Sequence, residues 1–69
     1  MDIEELKARC KKVWEDTYKD FKKFKERYGM TDSDTQEIFS ELITIEDTIT
    51  EITGGLVSYA DFEKWRDQK

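Results

Sequence analysis

Seven carboxylates crowd between Asp32 and Glu51: Asp32, Asp34, Glu37, Glu41, Glu46, Asp47 and Glu51. Carboxylates in such number can hold a hard cation, share a proton as an acid–base pair, or present negative charge to a basic surface. The acid–base reading needs two groups that converge on one point. The adjacent Glu46 and Asp47 leave a helix about 100° apart, so they do not converge. The chain has no histidine, the commonest general base. No glycine-rich phosphate loop and no cysteine–histidine cluster is present. The expectation is a protein without catalytic residues, metal ligands or cofactor.

The cation reading has one candidate. GGLVSYADFEKW resembles the second half of an EF-hand calcium loop, with Gly55 at the sixth place and Asp61 at the twelfth. Thr50, Ile52 and Gly54 then occupy the first, third and fifth ligand places, where carboxylate or amide oxygens are needed. A loop begun at Asp32 fails because Glu37 replaces the glycine and Ile43 the final glutamate. The chemistry of calcium binding is missing, and a capped helix after a glycine turn accounts for the same residues.

The charge reading survives. No lysine or arginine lies between Arg27 and Lys64. Within that gap Glu37/Glu41 and Asp47/Glu51 are like charges four residues apart. Each such pair costs a helix about 0.2–0.5 kcal/mol. Ile38, Leu42, Ile45, Ile49 and Ile52 fall on one helical stripe, and Asp34, Glu37, Glu41, Asp47 and Glu51 are expected on the opposite side. Phe39 and Ile43 lie well off that stripe, so a second surface must cover them: the third helix through Phe62 or Trp65, a partner, or another copy. These seven residues, Asp34, Glu37, Glu41, Asp47, Glu51, Phe39 and Ile43, form the expected partner-binding surface.

Three helices must position them. Residues 2–28 read as one long helix, capped by Asp2 with Glu5 closing a capping box and Met1 stapled onto Leu6. Ile3, Leu6, Cys10, Val13, Trp14, Thr17, Phe21, Phe24 and Tyr28 share its inner face. Lys22, Lys23, Lys25 and Arg27 suit its negative end, and Gly29 its stop. The second helix starts with Thr31 or Ser33 as cap and ends at Thr53 before Gly54. Eight of the residues in 43–53 are β-branched, which favours a strand and a Gly-Gly hairpin over residues 48–59. The three–four spacing of Leu42, Ile45, Ile49 and Ile52 favours the helix. Ser58 with Asp61 caps a short third helix in which Val57 staples onto Phe62, Phe62 and Trp65 face inward, and the tail from Asp67 frays. The expectation is a single all-α, three-helix domain over residues 1–69, the first two helices antiparallel.

Composition limits the rest. The chain has 69 residues and a net charge of −5, with +2 over residues 1–29 and −7 over residues 30–69. A core this small supplies only a few kcal/mol, and the single Cys10 allows no internal disulfide. A free, apolar-face cysteine fits a reducing, cytoplasmic setting. No apolar run approaches the roughly 20 residues of a membrane span, and MDIEELKARC lacks the apolar core of a secretory signal. The lysines 19, 22, 23 and 25 with Arg27 offer a nucleic-acid surface near Tyr18, Phe21, Phe24 and Tyr28. The overall acidity opposes a polyanion, so direct nucleic-acid binding is not expected. The leading reading is a small acidic, non-enzymatic inhibitor or adaptor whose second helix meets a basic protein surface. In size and charge the chain resembles phage-encoded anti-defence proteins, including anti-CRISPRs, that mimic nucleic acid. That resemblance implies a viral protein acting in the host cytoplasm. Two alternatives stand beside it: a structural subunit, for instance a homodimer, held by its apolar face, and a nucleic-acid binder using the first helix.

Overall fold

The computed structural model describes residues 2–68 as three helices and, among those residues, no strand. Helix α1 spans Ile3–Tyr28, α2 spans Ser33–Ile52 and α3 spans Tyr59–Asp67. The expected Met1 staple lies outside the described residues, as does the last residue of the expected frayed tail.

Each boundary has a local cause. Asp2 caps α1 by accepting from the Glu5 backbone N–H at 2.7 Å. Glu5 pairs through its own side chain with Arg9, one turn on. Asp32, rather than Thr31 or Ser33, caps α2, its Oδ2 accepting from the N–H groups of Asp34 and Thr35. An aspartate there also suits the positive helix end. Gly29 closes α1 at φ 83°, its N–H donating to the Lys25 carbonyl. At the far end of α2 the N–H of Gly54 donates to the carbonyl of Glu51 and that of Gly55 to Thr50. This pair of hydrogen bonds turns the chain out of the helix and needs the positive φ that glycine supplies. Asp61 accepts from the Ser58 N–H at 3.0 Å and starts α3.

The hairpin alternative for residues 48–59 is not what forms. Thr50 and Thr53 donate their hydroxyls to the carbonyls of Glu46 and Ile49, four residues back, so the β-branched threonines are absorbed within helical geometry. Thr50 and Ile52, the first places of the calcium-loop outline, sit inside α2.

Helices α1 and α2 run antiparallel. Trp14 meets Glu46, and Phe21, about two turns further along α1, meets Phe39, about two turns back along α2. The core consists of Cys10, Trp14 and Phe21 from α1, Leu42 and Ile49 from α2, Val57 from the connection and Phe62 from α3. Trp14 is its centre: Tyr18 and Phe62 stack on the indole and Trp65 tilts against it. Helix α3 therefore covers one side of the α1–α2 pair, tied at its ends by Lys7–Asp61 at 3.2 Å and Lys11–Gln68.

The inner faces differ from the expected stripes. On α2 the buried residues are Thr35, Leu42, Glu46 and Ile49, a stripe turned about 50° from the one the isoleucines mark. Ile52 is 73% exposed. On α1, Ile3, Val13 and Tyr28 are exposed although they lie on the apolar face, and Tyr59 of α3 is exposed as well.

Candidate functional site

The outer surface of α2 is built from two ridges. Residues four apart stand one above the next on a helix. Phe39, Ile43, Asp47 and Glu51 make one such ridge, and Glu37 with Glu41 makes the other. All six are exposed, as is Asp34 in the first turn. All five predicted acids thus reach solvent on α2. Among the described residues none of the five forms an ion pair; the four salt bridges are Lys7–Asp61, Arg9–Glu5, Lys11–Glu15 and Arg66–Glu46.

Two contacts anchor the first ridge. The Phe39 ring tilts against buried Phe21 at 5.2 Å between centroids, which leaves Phe39 36% exposed. At the other end the Tyr59 hydroxyl donates to the Asp47 carboxylate. That bond, with the nearby negative charge, raises the Tyr59 pKa, since ionising the phenol would remove the donor. The third helix does not close over Phe39 as expected: the aromatic partners of Phe62 and Trp65 are Trp14, Tyr59 and each other. Ile43 keeps 41% of its surface exposed. The ridge therefore sets Ile43 one turn from the Asp47 carboxylate, with Phe39 one turn before it.

One acid of the cluster does something else. Glu46 is 3% exposed. Its Oε2 accepts from the Trp14 indole N–H at 2.8 Å and from the Arg66 guanidinium at 2.6 Å. A carboxylate can enter a core only with its lone pairs satisfied, and an indole N–H buried at the centre needs an acceptor. Trp14, Glu46 and Arg66 meet each other's need and lock the three helices in one register. Sequence reasoning counts Glu46 among the acids of this run and gives it no buried role. The available signal is its spacing, because Glu46 follows Leu42 by one helical turn and precedes Ile49 by another, on the same side as both. Asp61 likewise belongs to structure: the Ser58 N–H bond holds its carboxyl below the usual range, Lys7 adds to this, and partial burial opposes it. Burial pushes the Cys10 thiol up, the behaviour of a packed side chain rather than a nucleophile.

The basic end of α1 is partly folded into the structure. Phe21 is buried, Tyr18 stacks on Trp14, and Lys22 lies over the Tyr18 ring. Tyr28, with Arg27 over it, is open. No helix among the described residues is long and apolar enough to cross a membrane. Comparison with models of protein families, with curated proteins and with solved structures finds no match to this chain.

Proposed function

We propose that this chain is a non-enzymatic binding module that presents the outer face of α2 to a basic surface on a partner protein. The observation that supports it is the make-up of that face. Asp34, Glu37, Glu41, Asp47 and Glu51 are exposed along α2, with no cation paired to them among the described residues, and Ile43 and Phe39 stand open on the ridge that Asp47 and Glu51 continue. A surface kept only for solubility mixes both signs, as the outer face of α1 does; this one tolerates like charges at helical spacing. Carboxylates steer encounter with a basic surface, and the two apolar side chains supply the contact that water leaves. A basic surface that otherwise holds nucleic acid is the natural target, in the manner of the phage anti-defence proteins that the chain resembles in size and charge. The setting is a reducing cytoplasm, that of the host for a phage-encoded chain.

The test compares the parent with a Glu37→Lys/Glu51→Lys variant. The substitutions create opposite-charge pairs with Glu41 and Asp47, so the melting temperature holds or rises by the equivalent of about 0.2–0.5 kcal/mol per pair. Both forms are used as bait at low and high salt, and captured proteins are identified by mass spectrometry. A basic protein held by the parent at low salt and lost with the variant supports the reading. A partner retained equally by both reduces the acidic face to a solvated surface.

A further inference from the structure

Helix α3 covers only part of one side of the α1–α2 pair. Its nine residues reach about 13 Å, whereas the 20 residues of α2 reach about 30 Å. The end of α3, at Trp65 and Gln68, stops beside Trp14 and Tyr18. Beyond that end the same trough runs on uncovered. Its α1 edge encloses a space of about 330 Å³ between Tyr18, Phe21, Lys22 and Lys25, with Glu26 at the rim. Across from it, Phe39 leans on Phe21 and begins the α2 ridge that reaches α3 where Tyr59 bonds Asp47. Ile43 lies on that ridge between the two contacts, so it borders the open trough as Phe39 does. We propose that this open half seats a short amphipathic helix of a partner protein, apolar on its inner face and carrying carboxylates along the edge that meets Lys22 and Lys25.

The covered half displays the chemistry that the trough accepts. Lys7 and Lys11 are each met by an oxygen of α3, that of Asp61 at 3.2 Å and that of Gln68. Between these contacts Phe62 and Trp65 lie against Trp14. On the α2 side the polarity is reversed: α3 gives the Arg66 guanidinium to Glu46 and the Tyr59 hydroxyl to Asp47. The open half repeats the lysine edge. Lys25 stands about five turns after Lys7, and Lys22 about three turns after Lys11, so each leaves α1 in nearly the same direction as its counterpart. Lys22 lies over the Tyr18 ring, and among the described residues neither Lys22 nor Lys25 is in an ion pair.

Charge selects the occupant and its orientation. Lys19 adds a cation at the outer rim. Of the acids nearby, Glu26 alone lines the space, Glu15 is taken by Lys11 at 3.7 Å, and Asp16 and Asp20 leave α1 on its far side. Asp67 points away from the trough at the end of α3, and Glu37 and Glu41 leave α2 on its other side. The α1 edge is therefore positive, while Asp47, one turn past Ile43, makes the α2 edge hostile to carboxylates. A helix fits with its acids toward α1, as α3 does; a polyphosphate, charged along its whole length, does not. Tyr18 to Tyr28 gives the seat a length of about 15 Å, room for roughly ten helical residues. The other open face of the pair offers no such choice. It is an apolar groove of about 320 Å³ lined by Val13, Ile45 and Ile52 among others, and its one cation, Arg9, is already paired with Glu5. The inference goes beyond the acidic-face reading and does not rest on it, although Phe39 and Ile43 border both surfaces.

Selection from a display library of helical peptides of about twelve residues, random in sequence, on the full folded chain tests the proposal. The expected winners carry Asp or Glu three or four places apart beside an aromatic or aliphatic face, and their binding shifts the amide signals of Tyr18, Lys22, Lys25 and Ile43. Winners without acids, or shifts centred elsewhere, overturn it. Lys22→Glu/Lys25→Glu, at exposed positions, is expected to keep the circular dichroism spectrum and to weaken the winning peptides about tenfold or more. Replacing the peptide acids by lysine then restores binding to the variant. A folded variant that binds the acidic peptides like the parent overturns the lysine edge. A single-stranded oligonucleotide is titrated in parallel; its binding at Lys22 and Lys25 without an acidic peptide being selected overturns the proposal in favour of nucleic acid. The lysine variant keeps every acid of α2, and Glu37→Lys/Glu51→Lys keeps the trough, so failure here is distinguishable from failure of the acidic-face reading.

Discussion

The two sides of the α1–α2 pair reverse the usual relation between polarity and burial. The side under α3 holds a carboxylate, an indole N–H and a guanidinium at its heart, and Glu46 and Trp14 are buried there. The opposite side holds Val13, Ile45 and Ile52, and two of these are widely exposed. A nine-residue helix accounts for the difference. It brings Phe62, Trp65 and Arg66 to one side only, so polar groups there find partners while apolar groups opposite find none. Burial in a domain this small is decided by which surface has a cover, more than by which residues are oily.

Substitutions can break or sharpen that contrast. The largest effect belongs to Trp14→Ala, which empties the centre of the covered side. It is expected to cost about 3–5 kcal/mol, enough to unfold much of a domain of this size, as read by a circular dichroism melt. A near-parental melt would mean that the covered side is not the structural centre. Glu46→Ala comes next. It leaves the Trp14 N–H buried without an acceptor, for about 1–3 kcal/mol, whereas Glu46→Gln keeps an acceptor and loses less. Equal costs for the two would show that charge, not the hydrogen bond, matters at this site. Asp61→Ala removes the cap of α3 and the Lys7 pair, for about 1 kcal/mol. The pH dependence follows from the same group. Its pKa is lowered on folding, so its contribution is present above the unfolded value of about 3.9 and is lost as pH falls through the lower folded value. A melting temperature that stays flat through that acid window, or that the alanine variant tracks, would remove Asp61 from the account. The smallest effect is on the open side. Ile52→Ser should change the stability of the isolated chain by no more than about 0.5 kcal/mol. A larger loss would show that Ile52 is covered after all.

Much of this fold was legible in the residues. The three helices, the glycine stops and the Ser58–Asp61 start follow from spacing and capping chemistry, and the isoleucine spacing outweighs the strand preference of residues 43–53. The rotation of α2 was not legible. It depends on two polar residues, Thr35 and Glu46, that occupy core positions, and Glu46 does so only because Trp14 and Arg66 lie far away in sequence and close in space. Periodicity counts oily residues and is blind to a polar group with a distant partner. The same blindness places Ile52 and Val13 inside. The exposure of Glu37, Glu41, Asp47 and Glu51 follows from the wheel, which sets them away from the buried stripe; Asp34 lies one turn before Ile38 on the isoleucine side and is exposed in the first turn of α2. What that surface meets lies in chemistry outside the chain.

The position of Trp14 makes the molecule its own optical gauge. Both indoles, Trp14 and Trp65, lie on the α3 side and touch each other. Trp14 is shielded from water, which holds its emission to the blue of a hydrated indole, and the emission moves red when α3 lifts away and water enters. The groove side has no tryptophan among its lining residues. Intrinsic fluorescence therefore follows the docking of α3, which lets the covered side of the fold be read by light alone.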